Sequence, residues 1–456
     1  MKIEILNGKR LVSNEKVSKQ SVEAKHAELK LEKPKTSGQW LDFNRIEVSD
    51  GVITGIDTET KKSFDADITI DAQNCLVFPG LIDLNVSLRE PGYTAKGTIA
   101  TETKAAAAGG VTALCCSPDT MPINDSEAVT KLIKDLAEES NACKVLPLGA
   151  LTQGLKGAQL AEYALLKAAH CVALSNGFNP IKNLAITKRC FEYAATHKLS
   201  VFINPIEPSL HEGVMHEGYV STTIGLQGIP SLAETTAVAQ LIQIAKSTGV
   251  HLHLSQVSAQ ESVSQVRDAK LAGINVTADV AIHNLIFTDQ RVANFNSAYR
   301  CMPPLRSESD RLALIEGLKS GVIDAVTSAH QPHEAAAKQM PFAETQAGMS
   351  GVEFILPIAM ALDNQLSEPC HISLIDFIHA MTHAPASILN MTSPEIACGH
   401  EANICVFDPT IKKVLHAENI LSQGKNTPLL RQTLTGQVKA TIFEGNISYQ
   451  SETDSN

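Results

Sequence analysis

The sequence predicts an α/β fold, a closed (β/α)8 barrel carrying a small β-sandwich side domain built from both chain ends. Three observations predict it. Short strand-like pieces open and close the chain, buried strand-like runs alternate with helix-like segments between them, and this alternation persists over about 300 residues, which favours closure over an open doubly wound sheet. With 456 residues the chain exceeds what one hydrophobic core usually organises, so a barrel with an annex is a natural division. The expected boundaries are 1–77 together with 397–456 for the composite β domain, and 78–396 for the barrel.

The opening pieces are KIEIL, RIEV, GVITGID and DADITID, with Asn7-Gly8 and Asp50-Gly51 read as turns between them. Residues 15–35 form an insertion in which 10 of 21 residues are charged, read as a solvated excursion or a docking segment that orders on a partner. Further on, Ser231 and Glu234 after Pro230 have the spacing of a capping box, and Gly249 stops that helix. The strand VHLHLSQV follows. Ser258 and Glu261 repeat the capping pattern, Gly273 ends the helix, and INVTADV supplies a strand. Ser307 and Asp310 start another helix, Gly321 ends it, and IDAVTS is again a strand. The closing strands are ANICVFDP, KKVLH and ATIFEGNISY, and chain ends often lie close enough to share a domain.

Composition excludes several classes. A hydrophobic fraction of 44% with 19% charged residues describes a globular chain. The 49 acidic residues outnumber 38 basic ones, and the formal charge of -11 opposes binding to a phosphate backbone, so nucleic acid is not an expected partner. The start lacks a signal-peptide core and no run of 18 apolar residues occurs, which predicts no membrane association and a cytoplasmic location. Ten cysteines without a CxxC pair read as reduced, mostly buried thiols. No Gly-x-Gly-x-x-Gly or phosphate-binding loop follows an early strand.

PGLIDLNVSLREPG at 79–92, TETKAAAAGGVT at 101–112, CSPDT at 116–120, MPPLR at 302–306, TSAHQPH at 327–333 and ANICVFDP at 402–409 occur in one order along the chain. Together they resemble the amidohydrolase superfamily, specifically barrel-type dihydroorotases, which close pyrimidine rings. The resemblance implies a TIM-like barrel of the amidohydrolase type. It also implies where zinc ligands belong, and there the chain departs from the family. A His-x-His pair is replaced by Asn85 and Ser87, the bridging carboxylate by Asn176, two further histidines by Asn204 and Gln256, and the ligand aspartate that also serves as general base by Ala329. Imidazole and carboxylate hold zinc, and the metal brings its bound water to a pKa of about 7. Neutral amides and a hydroxyl do not replace them, so no metal or other cofactor is expected and proton transfer loses its base.

Three positions keep a partial likeness to the family's substrate contacts. Arg89 matches the arginine that grips a substrate carboxylate, and equally suits a salt bridge at the barrel mouth. Asp119 stands where relatives carry an asparagine, and its charge would repel dihydroorotate; His333 matches a substrate-contacting histidine. His251 with His253, and His330 with His333, are the pairs from which a relocated metal site would have to be built. HEGVMHEG at 211–218 lacks the helical HExxH spacing and reads as an exposed polar loop. The chain resembles the inactive dihydroorotase-like group that assembles with the aspartate transcarbamoylase catalytic chain. The resemblance implies a structural, non-catalytic subunit, self-association and a hetero-dodecamer of six plus six chains. Two alternatives stand beside it: a cyclic-amide hydrolase with a relocated metal site, and an amidohydrolase-like scaffold outside pyrimidine synthesis.

Overall fold

A computed structural model describes residues 1–13, 38–57, 64–366 and 370–451. The charged insertion at 15–35 lies outside the described residues. The first five strands are β1 (Lys2–Ser13), β2 (Gly38–Ser49), β3 (Val52–Asp57), β4 (Ile68–Asp71) and β5 (Leu76–Pro79). Alternation in β1 buries Ile3 and Ile5 on one face, as a half-buried strand requires. Asp50 and Gly51, both at positive φ, make the tight turn between β2 and β3. Asn7-Gly8 is not a turn. Asn7 takes a positive φ inside an unbroken β1, at the point where its parallel partner changes from β4 to β5. A side chain at Gly8 would meet the Phe43 ring at 2.9 Å, so the glycine lets the strands close.

The barrel strands are β6 (Leu81–Val86), β7 (Val111–Cys116), β8 (Lys144–Ala150), β9 (Ala173–Ser175) and β10 (Ser200–Ile203). A short ribbon, β11 (Met215–His216) with β12 (Gly228–Ile229), precedes β13 (Leu252–Leu254), β14 (Val276–Ala281) and β15 (Ala325–Thr327). The eight parallel strands run in the order β6-β7-β8-β9-β10-β13-β14-β15. Ile82, Leu84, Cys115, Leu148 and Phe202 fill the interior as one cluster, while Leu252, Leu254, Val276 and Val280 face outward into the helices. Across the seam, Asp83 accepts from the Thr327 hydroxyl and the Ser328 amide, and Ser87 N–H donates to His330 O at 2.9 Å. Burial pushes the Asp83 carboxyl above its usual range.

Three strands end the chain: β16 (Ile404–Val414), β17 (Thr433–Phe443) and β18 (Asn446–Gln450). They join the first sheet in the order β18-β17-β16-β5-β1-β2-β3, and Ile404 pairs with Pro79. Ile3, Ile46 and Ile53 share one core cluster with Ile404, Val406 and Ile442, so both chain ends enclose a common interior. Of the ten cysteines eight are buried, Cys370 is half-buried and Cys398 exposed. Among the described residues no helix is long and apolar enough to cross a membrane.

The helix Glu308–Ser320 starts with the reciprocal Ser307/Asp310 box and stops at left-handed Gly321, as its sequence predicts. The other two boxes do not form. Ser231 caps nothing with its side chain, and the helix Gln260–Leu271 has Ala259 at its N-cap rather than Ser258. Glu234 is drawn instead to a tertiary partner, accepting from the Ser258 and Ala259 amides at 2.8 and 2.9 Å. Its carboxylate thereby caps the next helix across space.

Candidate functional site

The C-terminal ends of the barrel strands form the upper mouth, where enzymes of this architecture place their chemistry. There Asn85, Ser87 and Asn204 line one cavity with Leu84, Ser117 and Ser255. Its volume is about 10 Å³, on the order of one water molecule. Asn204 Nδ2 donates to Ser255 O at 3.4 Å. Asn176 is turned to loop support: Oδ1 accepts from Thr152 Oγ1 at 2.8 Å, and Nδ2 donates to Asn179 O at 2.6 Å. Gln256 and Ala329 are buried, both at positive φ, and line neither this cavity nor the neighbouring one at Asn176. The Gln256 side-chain amide finds no partner among the described residues. Three of the six replaced positions therefore meet at one cavity and three do not. The amides of Asn85 and Asn204 with the hydroxyls of Ser87, Ser117, Ser175 and Ser255 around so small a space do not fit a zinc pair, which needs anionic and imidazole donors.

The four histidines considered for a relocated site are already engaged. His330 Nδ1 accepts from the Gly351 amide at 3.1 Å, so Nε2 carries the proton it gives Glu102 at 2.8 Å. Burial works to raise the Glu102 carboxyl, but the His330 bond together with the Gln423 amide holds it below the usual range. His253 sits against Asp279, and His251 against Ser200 and Thr277. Among the described residues no three His, Cys, Asp or Glu side chains converge as metal ligands would. His216 of HEGVMHEG lies in β11 beside Arg306 at 3.3 Å, so two of those eight residues, Met215 and His216, are strand rather than exposed loop.

The three positions resembling substrate contacts do come together. Arg89 donates from Nε to Pro332 O at 3.1 Å, and lies 3.3 Å from His333 Nε2 and 4.0 Å from Asp119. Lys96 has only protons to offer His333 Nδ1 at 3.1 Å, so Nε2 carries the proton and gives it to Ala347 O at 2.9 Å. Arg89 therefore touches His333 without a hydrogen bond. Burial, with Arg89 and Lys96 close by, pushes the His333 imidazole down to about 3. Asp119 thus offers Arg89 the carboxylate that a bound acid would supply. Asp119→Asn is expected to raise the affinity of the mouth for a small dicarboxylate several-fold, measured by isothermal titration with malonate; an unchanged isotherm contradicts this pairing.

His283, just beyond β14, is buried with no partner for Nε2 among the described residues, and burial pushes it down to about 4. The unfolded chain holds that proton near pH 6.5. Stability is therefore complete above about pH 6.5 and falls as pH drops towards 4. Comparing urea midpoints of wild type and His283→Leu isolates this group from the carboxylates. The wild type should lose about 2 kcal/mol more than the variant between pH 7 and pH 5. Parallel losses would contradict it.

Sequence reasoning did not single out Asp83, Glu102 or Lys96 as members of this region. Their signal lies in tertiary pairing: the partners of Asp83 and Glu102 stand 244 and 228 positions away.

Comparison with known proteins places these features in context. A family model described as Dihydro-orotase-like matches residues 74–262. A dihydroorotase-like protein of Pseudomonas aeruginosa is 42% identical over 390 residues, covering 85% of this chain and 90% of the relative. A protein named dihydroorotase from Thermoanaerobacter sp. is 40% identical, covering 88% of this chain and 92% of its own length. In structure, the L-hydantoinase (dihydropyrimidinase) from Arthrobacter aurescens superposes with a TM-score of 0.82 at 19% identity, covering 99% of this chain and 96% of that one. That likeness speaks for the fold alone.

Proposed function

We propose, from the premise that the chain belongs to the dihydroorotase-like family, that it serves pyrimidine biosynthesis as a non-catalytic subunit of the aspartate transcarbamoylase assembly. One observation carries the proposal: at the end of the barrel where the family's chemistry belongs, amides, hydroxyls, Leu84, Leu148 and Phe178 leave a cavity of about 10 Å³. Asp119 beside Arg89 supports it, because the arginine that would receive a substrate carboxylate already faces one. A cyclic-amide hydrolase with relocated metal would need its histidines to converge, and His251 and His253 bond to β14 while His330 bonds to Glu102. What remains useful to a partner is the outer surface of a well-packed barrel. A fold carries no function of its own, so the partner is taken from the family resemblance.

The test mixes the full chain with the aspartate transcarbamoylase catalytic chain of the same organism, reading mass by light scattering and carbamoyl transfer by assay. A defined complex, with transfer activity gained or stabilised, is the expected result. No association at micromolar concentrations overturns the proposal and leaves the scaffold outside pyrimidine synthesis.

A further inference from the structure

At the opposite end of the barrel, below the N-terminal ends of β10, β13, β14 and β15, lies a half-open cleft of about 1080 Å³. Ser200, His251 and Thr277 line it, and they begin a chain of hydrogen bonds into the interior. Ser200 Oγ lies 2.8 Å from His251 Nδ1, and His251 Nε2 lies 2.9 Å from Thr277 Oγ1. The same hydroxyl lies 2.9 Å from His253 Nδ1, whose Nε2 lies 2.8 Å from Asp279 Oδ2. His253 and Asp279 are fully buried, and Asp279 Oδ1 accepts from the Gln256 amide at 2.8 Å.

The protons in this chain have one consistent arrangement. The Asp279 carboxylate only accepts, so His253 donates from Nε2 and accepts at Nδ1. Thr277 gives its single proton to His253 and therefore accepts from His251 Nε2. His251 Nδ1 is left as an acceptor, and Ser200 donates to it. A hydroxyl in this cleft thus faces a neutral imidazole oriented by a third group, the arrangement of an activated nucleophile. Burial and His253 push His251 down to about 4, which disfavours a charged imidazolium there. The relay removes that obstacle, since a proton taken at Nδ1 is matched by one passed on through Thr277 and His253 to Asp279.

We infer that this cleft is a second, acyl-accepting site, in which Ser200 attacks small carboxylic esters and the His251-Thr277-His253-Asp279 chain carries its proton. Leu199, Val250, Ile388 and Met391 line the same cleft and suit a short acyl chain. In the acylation step, Ser200 Oγ bonds to the ester carbonyl carbon and its proton enters the relay. The carbon–alkoxide bond breaks, and the departing alkoxide takes one proton back from His251. Water then attacks the acyl-serine by the same route, restoring Ser200 and releasing the acid. The site is independent of the proposed assembly role, which concerns the upper mouth and the outer surface.

The test treats the full-length protein with an alkyl fluorophosphonate, which bonds to an activated serine with loss of fluoride, and locates the adduct by peptide mass spectrometry. One adduct per chain on Ser200, absent in Ser200→Ala, is expected. Thr277→Val should slow its formation about 100-fold, and Thr277→Ser should restore it. Asp279→Asn, which keeps the shape but removes the final acceptor, gives the same reading if Thr277→Val does not fold by circular dichroism. A wild-type protein without a Ser200 adduct overturns the inference, as does labelling that proceeds equally fast without the relay.

Discussion

Assayed for dihydroorotate ring opening, the purified chain is expected to turn over at least about 10⁴-fold more slowly than a zinc-bearing dihydroorotase under the same conditions. Loss of a positioned general base alone costs about 10²- to 10⁴-fold, and Ala329 offers only a methyl group. The hydroxide that zinc generates near neutral pH has no source at Asn85, Ser87, Asn204 and Gln256. Zinc content measured after dialysis should be well below one per chain. Restoring the donors with Asn85→His, Ser87→His, Asn204→His, Gln256→His and Ala329→Asp together should not recover it. Imidazoles at three of those positions would have to share a cavity of about 10 Å³, and Gln256 and Ala329 do not line that cavity at all. Turnover within tenfold of the active enzyme, or stoichiometric zinc in the wild type, would sink the non-catalytic proposal.

Much of the fold was legible because it rests on local signals. The Ser307/Asp310 box, the stops at Gly249 and Gly321, and the turn at Asp50-Gly51 depend on residues within a few positions of one another. Ser231/Glu234 and Ser258/Glu261 carry the same spacing and failed, because Glu234 binds the Ser258 and Ala259 amides more than 20 positions away. Spacing cannot report that choice. At the upper mouth, the family resemblance pointed to the positions to inspect, whereas the size of the cavity there depends on how six strands pack. The approach of Asp119 to Arg89 was legible as charge, but in the opposite sense. Sequence suggested an anion that repels a substrate, and the structure adds that its carboxylate lies 4.0 Å from the arginine.

The largest stability loss from a single substitution is expected at Glu234, for the same reason that it defeats the local pattern. Glu234 and Arg306 are almost wholly buried and meet at 3.3 Å. Arg306 Nε also donates to Ser258 Oγ at 2.7 Å, and that hydroxyl donates in turn to Glu234. Glu234→Ala leaves the guanidinium buried without its counter-charge and strips the acceptor from the Ser258 and Ala259 amides at the start of the helix Gln260–Leu271, where, among the described residues, only Asp310, on the Gln260 amide, still caps. Breaking a buried pair from one side costs about 3–5 kcal/mol, against about 1–3 kcal/mol for an unsatisfied buried polar group. Glu234→Gln, which keeps the acceptor for the Ser258 and Ala259 amides, should therefore lose less than Glu234→Ala. The exposed pair Lys131–Asp135 has nothing comparable beneath it, and Asp135→Asn should leave the urea midpoint where it is. Equal midpoints for Glu234→Ala and Asp135→Asn would mean that Arg306 is solvated after all and that the buried Glu234–Arg306 pair carries no such stability.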